Sequence, residues 1–493
     1  VANVEYNFLP ILNIISLPCI VIILNYILRN AIIRHTTSLL IIVCFIHNIM
    51  CTIYNLDNIG QVKWVWLELL PGLKIEFYLE ITSLMFVAMT AVLWFITYIY
   101  SLGYFVNKHQ ELHTRNFYLY MSIGITCTTL LGFSANLFTL FIFYEFLTLS
   151  TYPLVSLSKS VSSYNAGRKY LMYLLFTSTG LLLPAIIITY MLAGSVEFTL
   201  GGIIGFNANP LIILILLAMY IFGVAKAALI PMHSWLPTAM VAPIPVSALL
   251  HAVAVVKAGI FTLIKILFYI FDVKHLHYLV AHAWLGYNIV QIITIVTIII
   301  ASLYAIKQNQ IKSILAYSTI AQLAYCVMTL SLFSKKAIAV TIFQMFAHAA
   351  AKISLFFAAG NIQKATGITE INKCLGLARE LPFTIILFMV CALSIIGMPF
   401  TAGFMSKYYL IIEALRDNNV IWPVLITIIL GTIFSTCYFI PIIFKSFWSV
   451  KDINIVVKDI PISMRLTTVT TTLIVFLLFI YAGNIISYVE NLL

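Results

Sequence analysis

The sequence predicts an all-α, polytopic membrane protein of about 14 transmembrane helices with broken helices among them. Three observations carry that prediction. Of 493 residues, 62% are hydrophobic and only 9% are charged, whereas soluble globular chains are nearer one quarter charged. The apolar residues fall into runs long enough to cross a bilayer, since about 20 residues at 1.5 Å rise span roughly 30 Å. The basic residues then sort to alternate sides of those runs, as membrane topology demands.

Windows of about 19 residues place the spans at 8–28, 37–57, 77–101, 116–133, 136–157, 169–193, 210–231, 243–271, 283–306, 312–333, 336–360, 382–413, 420–444 and 466–491. The run at 382–413 is too long for one straight span and contains Gly397, Pro399 and Gly403, so it is expected to be broken or kinked. Loops on one side carry Arg29, Arg34, Lys108, Arg115, Lys159, Arg168, Lys169, Lys307, Lys312, Lys364, Lys373, Arg379, Lys445, Lys451, Lys458 and Arg465. Loops on the other carry Lys63, Lys74, Lys274, Lys335, Lys336 and Arg416. The first side is therefore cytoplasmic, or matrix in an organelle, and both termini face outward. The net charge of +11 follows from this topology and not from a nucleic-acid patch. The first run is too long for a signal-peptide core and its arginines follow it, so no cleavable signal peptide is expected.

Residues 1–113 read as peripheral helices. Asn25, His47 and Asn48 there are expected to make helix–helix hydrogen bonds. Glu80 is expected to reach the interface, and Trp64 and Trp66, in an outward loop at 58–76, to join an aromatic belt. Residues 114–271 and 272–446 read as two units of similar build. Five spans each, an odd number, would make them inverted repeats. Residues 447–493 supply a last scaffold helix.

Five basic residues fall inside spans: Lys226, Lys257, Lys265, Lys352 and Lys407. Each costs at least ~2.5 kcal/mol to insert at mid-bilayer, so each must be paired, hydrated or able to lose its proton. Glu145 lies midway along the fifth span, and Lys226 sits at a similar depth two spans later; the two are expected to pair. His251 and Lys257 follow a corner crowded by Pro231, Pro237, Pro243 and Pro245. Proline removes backbone donors, so irregular backbone here must line a cavity or be buried in protein. Lys312 stands at the inner end of the tenth span, where it could also snorkel. Gln344, His348 and Lys352 are spaced by four and share one helical face, which must look at protein or water. Lys407 follows the Gly/Pro break of the twelfth span, the expected build of an ion site.

The eight cysteines are scattered without a Cys-x-x-Cys pair, which supports neither an iron–sulfur nor a zinc site. No Walker loop and no helix-opening G-x-G-x-x-G occurs. No cofactor, metal or nucleic-acid partner is expected. The partners expected are the lipid bilayer, other membrane subunits, protons and Na⁺ or K⁺.

The stretches YEFLTLSTYPLVS, GVAKAALIPMHSWLPTAMVAPIPVSALLHAVAVVKAG, QNQIKSILAYSTIAQ, FAHAAAKISLFFAAG and GMPFTAGFMSKYYL together resemble the proton-translocating antiporter family. That family includes the large subunits of multisubunit monovalent cation/proton antiporters and the antiporter-like chains of respiratory complex I. The resemblance implies 14 core helices with inverted five-helix repeats. It further implies Glu145 and Lys226 as the first ion pair, Lys257 and His251 as relay, and Lys407 as the terminal charge of the second unit. TLSTYPLVS, GLLLPAIIITYMLAGSVEFTLGG and SALLHAVAVVKAG look most like the D-type large chain of the cation antiporters. Complex I chain 4 usually has a glutamate where Lys407 stands, and chain 5 carries a long lateral helix after its last span; chain 2-like subunits keep the lysine. The implied role is a proton-translocating subunit of a Na⁺/K⁺–proton antiporter in a bacterial plasma membrane. The alternative is a proton-pumping, non-redox subunit of NADH:quinone oxidoreductase, there or in a mitochondrial inner membrane. A structural subunit that has lost transport is disfavoured by the retained Glu145, Lys226, Lys257, His348 and Lys407.

Overall fold

The computed structural model describes residues 8–56, 60, 62–70, 72–106, 111–205, 209–282, 288–416, 418–448 and 457–493. Lys108, Lys451 and the start of the expected span at 283–306 lie outside them. The helices are α1 (Leu9–Ile27), α2 (Ala31–Tyr54), α3 (Ile81–Phe105), α4 (Glu111–Gly132), α5 (Leu137–Val155), α6 (Val161–Ala193), α7 (Pro210–Gly223), α8 (Ile244–Tyr269) and α9 (Val273–His282). They continue with α10 (Ile289–Ile306), α11 (Ile311–Leu330), α12 (Lys335–Thr366), α13 (Pro382–Ile396), α14 (Ala402–Ala414), α15 (Asn418–Trp448), α16 (Ile462–Ile480) and α17 (Ala482–Leu492). Among the described residues, 11 helices are long and apolar enough to cross a membrane, and α7 and α13 are shorter apolar helices.

Helix starts follow local chemistry. Asn30, Asn136, Ser160, Asn288 and Ser334 each accept from a free amide of the first turn, as N-caps do. Basic residues of the predicted inner side bind the last carbonyls of neighbouring helices. Arg115 donates to Asn25 and Tyr26 of α1, and Lys364 donates to Tyr104 and Val106 at the end of α3. Cations at helix C-termini satisfy orphan carbonyls and oppose the dipole.

The outward loop at 58–76 is instead largely a β-hairpin, β1 (Val62–Leu70) with β2 (Leu73–Leu79), pairing Trp64 with Phe77. Leu73, Ile75, Phe77 and Leu79 alternate with Lys74, Glu76 and Tyr78, the period of a strand. The third span consequently begins at Ile81. Asn25 bonds Ser122 of α4 at 3.2 Å as expected. Among the described residues Asn48 bonds its own helix at Cys44, and His47 contacts Cys51 one turn on.

Burial is unequal. α8 is buried throughout, and α3, α11 and α12 nearly so, whereas α1, α2, α15 and α16 present most of their surface outward. The buried helices α8 and α12 carry Lys257, Lys265 and Lys352. The membrane lysines therefore face protein, as the cost of a lipid-facing charge requires.

Candidate functional site

The seventh span is not continuous. α7 stops at Gly223, a short 3-10 turn covers Ala225–Ala227, and Ala228 takes a left-handed φ of 56°. Lys226 thus sits in the break itself, not within a helix as the sequence suggests. Two glycines permit this. A Cβ at Gly223 would press on the Leu182 backbone, and one at Gly259 of α8 would run into the backbone of Lys226 and Ala227. Both helices approach the break more closely than any other residue allows.

Lys226 is fully buried. Its Nζ donates to the Tyr144 carbonyl at 2.5 Å and lies 3.1 Å from the centroid of the Tyr144 ring. Glu145, next along α5, has Lys226 and Ser178 as polar neighbours, yet among the described residues its carboxylate oxygens have no hydrogen-bond partner. The expected partners are close enough to interact but are not in contact as an ion pair. The lysine is held by the residue beside the glutamate, a cation–π and carbonyl clasp that the sequence reading missed.

Pro243 caps α8, and a π turn follows at Leu249–Val253, where His251 lies. π turns recur at functional sites. His251 is buried with neither ring nitrogen bonded; Lys352 and Lys312 are its charged neighbours. Lys257, one turn beyond the π turn, points across to α12 and meets His348 Nδ1 at 2.6 Å. The face Gln344–His348–Lys352 does look inward. Gln344 accepts from Thr329 and donates to the Ser406 carbonyl, while Lys352 donates to the Leu315 carbonyl and to Ser318 Oγ. Lys312 does not snorkel freely; it donates to the Met240 and Ala242 carbonyls at 2.8 and 2.6 Å, closing the proline corner.

The twelfth span is broken as expected. α13 ends at Ile396, Gly397 turns left-handed at φ 97°, and α14 starts at Ala402. Lys407 of α14 reaches back to the freed Ile396 carbonyl at 2.6 Å and to Thr432 Oγ1 of α15 at 2.9 Å. A Cβ at Gly397 would lie 3.0 Å from the Lys407 side chain, so the glycine also makes room for it. At Gly403, which the sequence marks only as part of the break, a Cβ would strike the Ser394 carbonyl oxygen. It is a packing glycine where the two half-helices close.

Between the two lysine sites lies a cavity lined by Gln322, Tyr325, His348, Ser406 and Lys407. It is narrow, about 10 Å³, roughly the room one ordered water needs. His348 Nε2 is buried without a partner, and a polar cavity beside an orphan nitrogen is where such a water belongs. The structure brings Lys257, His348 and Lys407 together. It groups His251, Lys312 and Lys352 towards the inner proline corner. Lys265, unassigned by the sequence, pairs with Glu80 at 2.5 Å; Glu80 does not simply reach the interface.

Buried lysines and histidines thus line up along broken, membrane-length helices. Residues 134–435 match the family described as NADH:quinone oxidoreductase/Mrp antiporter, transmembrane, and the chain belongs to that family. It is 31% identical to the chloroplastic NAD(P)H-quinone oxidoreductase subunit 5 of Lotus japonicus over 81% of this chain and 53% of that protein. It is 28% identical to the Na⁺/H⁺ antiporter subunit A1 of Staphylococcus haemolyticus over 84% of this chain and 53% of that one. The chain spans about half the length of the curated relatives it matches. In fold it matches a chain of the Mrp complex from a Dietzia species, with a TM-score of 0.84 at 19% identity over 98% of this chain and 96% of that one. It also matches a chain of the membrane-bound sulfane sulfur reductase, an archaeal respiratory membrane complex, with a TM-score of 0.83 at 22% identity over 98% and 97%.

Proposed function

We propose that the chain is the proton-translocating subunit of a multisubunit Na⁺/K⁺–proton antiporter, working with other membrane subunits in a bacterial plasma membrane. The observation that carries this is the Lys257–His348 contact with the cavity beyond it. A protonated Lys257 donates to His348 Nδ1. The imidazole can release a proton from Nε2, and the cavity offers a water to carry it to Lys407. Histidine suits this step because each nitrogen serves as donor or acceptor. Glu145 tunes the charge of Lys226 at the start of the relay. Lys312, Lys352 and His251 form its inner branch. The two units, 114–271 and 272–446, each contribute one broken helix and its lysine, and we read them as inverted repeats between the flanking segments 1–113 and 447–493. The antiporter relative found is an A-type chain, so A-type rather than the D-type expected from sequence is the finer assignment within this reading.

The likeness to a quinone oxidoreductase subunit favours a second reading, in which the same relay is a pumping arm driven by redox chemistry in other chains. Proton flux in proteoliposomes holding the assembled complex separates them. An antiporter moves protons in response to a Na⁺ or K⁺ gradient alone. A redox arm does not. In either case His348→Ala should stop flux, and unchanged flux in that variant refutes the relay.

A further inference from the structure

The outer face holds a second set of charges that the relay does not use. β1, the loop after α6 and the end of α8 converge there. Lys63 of β1 bridges Glu76 of β2 at 2.9 Å and Glu197 at 3.1 Å. Ile204 bridges to Phe271. These segments enclose a cavity of about 500 Å³ lined by Lys63, Tyr78, Glu80, Glu197, Leu200 and Tyr269. Glu80, at its floor, joins the outside to the interior. It accepts from Thr82 and from Lys265, whose ammonium is otherwise enclosed by the rings of Tyr269, Phe198 and Phe261.

Lys265 is 1% exposed and Glu80 opens into the cavity. A pair kept only for stability gains nothing from an open approach, and apolar packing would replace it at little loss. Inward of Lys265 on the same helix comes Thr262, buried and with a hydroxyl that has no partner, and then Lys257. A buried orphan hydroxyl one turn inward of Lys265 marks a place for a bridging group.

We propose that Glu80 and Lys265 form an outward proton port feeding the relay at Lys257. The proposal rests on the proton-translocation reading. When Lys265 has passed its proton inward by way of Thr262, Glu80 takes a proton from the cavity and transfers it along the existing hydrogen bond. Carboxylate and ammonium are then restored. The groups facing the pair are Tyr78 and Glu76 from β2, Lys63 from β1, Glu197 from the loop and Tyr269 from α8. Of the side chains lining the cavity, the carboxylates of Glu80 and Glu197 stand against the single ammonium of Lys63, a net negative balance in a chain of charge +11, which draws protons to the port.

Two measurements on the assembled complex test it. Leu200 is exposed at the cavity rim, so Leu200→Cys should leave transport intact until a bulky, membrane-impermeant thiol reagent is added outside. Flux should then fall at least about fivefold beyond any change in reagent-treated wild type, because water access is what the port needs. Unchanged flux overturns the proposal. Infrared difference spectra on acidifying the outer side should show a carboxyl band that is absent in Glu80→Gln. Identical spectra overturn it as well. The second measurement does not depend on transport, so a wild-type complex that moves no protons would refute the proposed function while leaving the port to be judged from the spectra.

Discussion

At the first break Lys226 occupies the turn itself, wrapped by Tyr144 and within the field of Glu145. At the second break Lys407 stands on the following helix, takes a carbonyl that the break has freed, and faces a cavity with no contacting carboxylate among the described residues. The first lysine is governed by a counter-charge. The second is governed by a helix C-terminus, whose partial negative charge favours a cation, and it borders a narrow polar cavity. The fold thus holds its membrane lysines in two ways: one beside a counter-charge, one on a freed helix carbonyl.

The largest expected effects come from removing what is distinctive at each break. Lys407→Ala should cut proton flux by about 10²-fold or more, the scale of losing a positioned proton carrier. Lys407→Arg should do the same while keeping the charge, since a guanidinium does not deprotonate. Glu145→Gln should abolish transport with the protein still inserted. Flux near wild type in Lys407→Arg would mean that position 407 supplies charge only, and the contrast between the two breaks would collapse.

The glycines sharpen the comparison by stability. Gly259 faces backbone at the first break, whereas Gly397 faces only the flexible end of Lys407. Gly259→Ala must push a helix aside and should prevent a stable complex from forming. Gly397→Ala is strained mainly by its left-handed φ of 97°, at a cost of about 1–2 kcal/mol, and should lower the unfolding temperature in detergent while the complex still assembles. The reverse order would show that the first break is the more pliable one.

Most of the apolar helices were legible because a bilayer leaves few solutions for long apolar runs. The twelfth-span break was legible too, since Gly397, Pro399 and Gly403 announce it. The break at Lys226 was not. Val224–Ala225–Lys226–Ala227–Ala228 contains no breaker, and the turn is set by the close approach of Gly223 to α6 and of α8, at Gly259, to the turn's own backbone. The hairpin was written in the alternation of residues 73–79 but was obscured by its short length beside a long apolar run. The stripe Gln344–His348–Lys352 gave its face from spacing alone, yet its partners on α8 and α11 lie far away in sequence. Glu80 and Lys265 are 185 residues apart, and no local pattern links them.

The mildest pair of substitutions probes how each lysine is gripped. Thr432→Val deletes one of the two hydrogen bonds to the Lys407 ammonium and leaves a near-isosteric side chain. Tyr144→Phe deletes a bond to the Lys226 backbone amide at 3.2 Å, but keeps the ring and the carbonyl that hold the ammonium. A hydrogen bond to a charged group contributes about 1.5–3 kcal/mol, and a neutral one nearer ~1 kcal/mol. Thr432→Val should therefore change proton flux about tenfold, because it alters how readily Lys407 keeps its proton. Tyr144→Phe should cost about 1 kcal/mol of stability with flux within about twofold. The checks are flux in proteoliposomes and unfolding temperature, measured on both variants side by side. If Tyr144→Phe slows flux as much as Thr432→Val, then the hydroxyl positions the Lys226 turn for proton transfer, and the two breaks depend on side-chain grip to the same degree.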